Sequence, residues 1–128
     1  MDEITLGVPA PVLESLPDDG ANTAADMQQA VAGWERRLNG ALADAEDERE
    51  ETQLVARLVD RFEERRERFD AFVPELRAWG QSPVYAIAWR TLYADLIAQL
   101  YAHDDLGERL ERERSYRLVE DGIRLRDR

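Results

Sequence analysis

SPVYAIAWRTLYADLIAQLYAH, residues 82–103, is the most apolar stretch of the chain and decides its fold class. Ser82 and Pro83 read as a helix start, because a serine hydroxyl accepts an orphan amide and proline suits the first helical position. Beyond them, Val84, Tyr85, Ile87, Trp89, Leu92, Tyr93, Leu96, Ile97, Leu100 and Tyr101 cover almost the whole circumference. Only Arg90 and a narrow stripe of Thr91, Asp95, Gln99 and His103 interrupt them. A helix that is apolar all round must be surrounded by other protein. Arg90, Asp95 and Gln99 disqualify it as a membrane span. The stretch is therefore the central helix of a bundle, and the fold is expected to be mainly α.

Upstream, Met27, Val31, Trp34, Leu38, Ala41 and Ala45 alternate in steps of four and three, a heptad seam suited to helix–helix packing. Thr23 with Asp26 three residues on resembles a capping box. The seam loses its apolar residues over Glu46-Asp-Glu-Arg-Glu-Glu51 and resumes in phase at Val55, Leu58, Val59, Phe62, Phe69, Phe72, Val73 and Leu76. The acidic stretch has neither Pro nor Gly, which favours one long helix over 23–79 against an antiparallel hairpin with its loop near 46–51. Asn39-Gly40 offers a bend or stop. Arg65 and Arg66 occupy seam positions and are expected to snorkel or pair with acids. Pro74 should kink or end the helix.

Residues 1–21 carry Pro9, Pro11 and Pro17 and finish in Asp18-Asp19-Gly20, so they read as an extended arm. Within it Ile4, Leu6 and Val8 alternate with Thr5 and Gly7 like a short strand. Downstream, Asp104-Asp105 caps a short helix from Leu106 to about Arg114. Asp121-Gly122 then signals a two-residue turn that makes 116–126 a β-hairpin, with Tyr116, Leu118, Ile123 and Leu125 on one face. The expectation is a bundle of three or four long amphipathic helices with a C-terminal β-hairpin: arm 1–21, then one domain, 22–128, with Ile4 to Val8 available as a third strand.

The 128 residues include no cysteine, which closes disulfide, thiolate-metal and thiol-nucleophile chemistry. All 17 basic residues are arginine against 28 acids, a net charge of −11. This lysine-free acidity resembles the proteins of salt-accumulating halophiles, where the Debye length shrinks to about 3 Å at 1 M salt. The N-terminal Met1-Asp2-Glu3-Ile4 lacks the features of a secretory signal. A cytoplasmic protein without a membrane span is expected.

Catalytic constellations are weak. Glu63, Glu64 and Glu67 match the Glu-Glu-x-x-Glu spacing with which some all-α nucleotide pyrophosphohydrolases align carboxylates for Mg²⁺. The second carboxylate pair is missing, with Asp95 alone on the facing helix, and no lysine meets a phosphate. Ser15, Ser82 and Ser115 lie in no nucleophile elbow. His103 lacks a second imidazole and reads as the end of a polar stripe. The hairpin after an arginine-rich helix resembles the wing of winged-helix regulators, with Arg112, Arg114, Arg117, Arg124 and Arg126 as phosphate contacts. The helix before it, however, is the most apolar of all, which disfavours nucleic acid. No cofactor, catalytic set or metal site is indicated. The expected function is self-association or partner binding, through a seam of Val55, Phe62, Phe69 and Leu76 and the apolar helix carrying Trp89 and Leu96.

Overall fold

A computed structural model describes the backbone of residues 1–126 and side chains as far as Gly122. It has five helices: α1 (Ala10–Glu14), α2 (Ala21–Ala43), α3 (Glu48–Ala78), α4 (Val84–Ala102) and α5 (Leu106–Arg126). The mainly α bundle is as the periodicity predicts. The hairpin is not: α5 runs unbroken from Leu106 to Arg126, and no strand occurs among the described residues. Arg, Glu and Leu supply helix propensity along α5, which outweighs the roughly 1 kcal/mol penalty of Gly122 inside it. Tyr116 and Val119 also stand at helical spacing, so the apolar positions fit both periods.

Residues 23–79 form two helices. The break is set by Asp47, whose carboxylate accepts the Glu50 amide at 2.8 Å, while the Glu50 carboxylate accepts the Glu46 amide at 3.0 Å. This reciprocal capping ends one helix and starts the next without glycine or proline. Thr23 does not cap α2, which begins two residues earlier behind Gly20. A Cβ at Gly20 would lie 2.9 Å from the Pro17 carbonyl oxygen, so the tight turn out of the arm admits only glycine there. Pro74 stays inside α3. Its missing N–H removes one rung, and the helix continues to a Schellman end in which Gln81 N–H bonds Leu76 O at 2.9 Å and Gly80 N–H bonds Arg77 O at 3.1 Å. Gly80 takes φ +72° to make it.

The packing centres on α3 against α4, with α5 against both and lying along the first half of α3 from Glu48 to Asp60. Phe62, Met27, Val55, Leu92, Leu96, Leu100 and Leu106 are fully enclosed. The arm joins this core with Ile4 and Leu6. It pairs with no strand. Ile4 N–H and C=O bond the Asn39 side-chain amide, both at 2.9 Å. Leu6 N–H donates to Glu35 at 2.8 Å, and Gly7 exchanges two bonds with the Gln99 amide. The period-two alternation is real, with Ile4 and Leu6 turned inward, but its hydrogen bonds go to side chains of α2 and α4.

Candidate interaction surfaces

Most of the expected association seam is used inside the chain. Val55, Phe62 and Leu96 have 0% exposure. Phe62 meets Trp34 edge-on at 5.5 Å and Tyr93 at 5.7 Å. Half-buried Phe69 and Trp89 stack on each other at 5.9 Å and each on Tyr93 at 6.0 Å. These five rings tie α2, α3 and α4 together, each offset pair adding about 0.5–1.5 kcal/mol beyond its area burial. Leu76 remains at the surface, half-buried between Phe72, 45% exposed, and Trp79, 75% exposed. Spaced four and three over the last turns of α3 and its C-cap, these three form one apolar stripe. A second exposed group, Tyr116, Leu118 and Val119, lies on the latter half of α5.

The carboxylates proposed for Mg²⁺ do not converge. Glu63 lines a cleft between α3 and α5 with Tyr101 and Arg114, Glu64 pairs with Arg68, and Asp95 accepts a hydrogen bond from Gln99 beneath the arm. Among the described residues no group of three potential ligands is positioned for a metal. In the same cleft burial holds the Tyr101 hydroxyl above its usual pKa, and the Glu111 and Glu63 charges add to the shift. The wing-borne arginine face is absent with the hairpin. Arg117 pairs with Asp60 at 3.0 Å, Arg112 and Arg114 line different clefts, and the side chains of Arg124 and Arg126 lie outside the described residues.

Two arginine arrangements escaped the sequence reading. Arg109, only 7% exposed, reaches from α5 into the start of α3. It donates to Thr52 Oγ1 at 2.9 Å and the Glu48 carbonyl at 2.6 Å, with Glu51 at 3.5 Å and Asp105 at 3.7 Å. Gly107 lets the start of α5 lie close against the end of α4, since a Cβ there would lie 2.8 Å from the Tyr101 carbonyl oxygen. The second lies between α2 and α3, where a groove of about 240 Å³ is floored by Trp34, Leu38, Ala41, Leu54 and Leu58 and rimmed by Arg37, Arg57 and Arg61. Guanidinium carbons of Arg37, Arg65 and Arg61 stand 4.5, 5.1 and 5.6 Å from the Trp34 ring centre. The seam position of Arg65 is thereby explained: it covers Trp34 and donates to the Tyr93 hydroxyl at 3.2 Å.

Among the described residues no helix is long and apolar enough to cross a membrane. No curated protein and no solved structure matches the chain. Residues 1–127 match a family of unknown function (DUF7971), and the chain belongs to that family.

Proposed function

We propose that the chain is a non-enzymatic helical interaction protein that self-associates in a salt-rich cytoplasm. The supporting observation is the stripe at the C-terminal end of α3, where exposed Phe72 and Trp79 flank half-buried Leu76 although Phe62 and Leu96 lie fully enclosed in the same bundle. An aromatic stripe of this kind is the sort of surface that a second copy buries, and a two-fold pairing would set each stripe against itself. The lysine-free surface and the −11 charge support the salt-rich setting, where screening lets acidic copies approach.

Light scattering in about 2 M KCl, where the Debye length falls to a few ångströms, tests the reading. The wild-type chain should run as a dimer, and Trp79→Glu should run as a monomer with unchanged helix content. A monomeric wild type at high protein concentration refutes self-association. A dimer that survives Trp79→Glu but is lost in Leu118→Glu moves the contact to α5.

A further inference from the structure

We propose that the groove between α2 and α3 is a docking site for an acidic amphipathic helix of a partner protein. The inference stands apart from self-association and rests on different residues.

The first observation is charge. In a chain with 28 acids, Arg37, Arg57 and Arg61 converge on one groove, and among the described residues none of the three has a carboxylate within 4.0 Å. The acids that neighbour them in sequence are engaged elsewhere: Glu35 holds the Leu6 amide, Asp60 holds Arg117, and Glu64 holds Arg68. Arg37 and Arg61, with Arg65, gather around the Trp34 ring while Arg57 lines the same groove, and like charges so placed repel, a repulsion that a bound anion removes.

The second observation is the way the guanidinium groups are held. Arg37 folds back to donate its Nε to the Gly33 carbonyl at 3.2 Å and lies over Trp34; a Cβ at Gly33 would touch the same guanidinium at 3.4 Å. Stacking occupies the face of a guanidinium and leaves N–H donors on its edge. Those edges suit carboxylates, which arginine grips through paired hydrogen bonds.

The floor selects the class of ligand. Trp34, Leu38, Ala41, Leu54 and Leu58 are apolar, and the groove runs along Trp34 to Ala41 and Leu54 to Arg61, about 10 Å of each helix. A phosphate backbone has nothing to set against such a floor. A helix presenting leucines at i, i+3 and i+7, flanked by Asp or Glu, fills it over two turns and places carboxylates on the arginine rim.

The probe is a fluorescent peptide of about sixteen residues with leucines at that spacing and glutamates between, titrated by anisotropy. Its Glu→Gln and Glu→Lys counterparts and a single-stranded oligonucleotide serve as comparisons. The acidic peptide should bind saturably to the wild-type chain. The Glu→Gln peptide, and Arg57→Gln/Arg61→Gln in the protein, should each weaken binding at least about tenfold, the loss expected for charge-assisted hydrogen bonds. Arg57→Glu/Arg61→Glu should lose the acidic peptide and take up the lysine one, with circular dichroism and scattered mass as in the wild type. The proposal is overturned by equal binding to wild type and variants, by no saturable binding, by preference for the oligonucleotide, or by loss of self-association in the groove variants, which would make a second copy the occupant.

Discussion

Arg109 brings a permanent positive charge into the junction of α3 and α5 with nearly all its surface covered. Arg109→Ala should lower the unfolding free energy by about 2–4 kcal/mol in urea titration, because Thr52 and the half-buried Glu51 lose their partner. Arg109→Met, which restores volume without charge, should recover part of the loss. An alanine variant within about 0.5 kcal/mol of wild type would remove the guanidinium from the stabilising contacts. Gly80 gives a second test: its φ of +72° makes Gly80→Ala unfavourable by about 1–2 kcal/mol, although a Cβ there would touch nothing. Arg109 was legible as a position but not as a role. It stands between Leu106 and Leu110 on the inward face of α5, yet in a run of alternating Glu and Arg it looks like its exposed neighbours. The enclosed positions Phe62 and Leu96 were legible as apolar seam members, whereas their burial within one chain depends on where α3 turns back.

Helix boundaries decided how the elements met. The absence of Gly and Pro from Glu46 to Glu51 favours one continuous helix, while the Asp47 and Glu50 pair, spaced as a reciprocal cap, carries the break. Asp47→Ala should therefore destabilise the chain by about 1 kcal/mol. Within α2, Gly40 has open space where a side chain would project, so Gly40→Ala should raise stability by about 0.5–1 kcal/mol. Chemical denaturation of both variants checks the opposite signs. The turn before α2 is tethered to α4 by the Tyr85 hydroxyl, which donates to Asp19 at 2.8 Å. That bond, reinforced by desolvation and the Asp19 charge, holds the Tyr85 pKa above its ordinary value of 10.0. The protonated hydroxyl is thus favoured in the folded chain. Its contribution is complete below pH 10.0 and is lost as pH rises through the higher folded value. Tyr85→Phe should flatten the alkaline decline in stability, and an unchanged slope would show that the tether carries none of it.

Across the whole molecule, the −11 charge opposes compaction, so the melting temperature should climb as KCl is raised from low concentration toward about 1 M and screening shortens to about 3 Å. A melting temperature indifferent to KCl would remove repulsion from the balance. The bundle was legible from the circumference of residues 84–101; the arginine groove was not. On one continuous helix Arg37 and Arg57 stand about 30 Å apart, and only the antiparallel return of α3 brings them together. The arm links distant parts differently. Asn39 and Glu35 on α2 and Gln99 on α4 each grip one stretch of its backbone, while α2 packs on α3 far less than α4 does. Residues 4–7 are thus a lace threaded through eyelets on two helices, and cutting it at Asn39 or Gln99 should slacken the hold on α2, seen as faster amide hydrogen exchange in that helix.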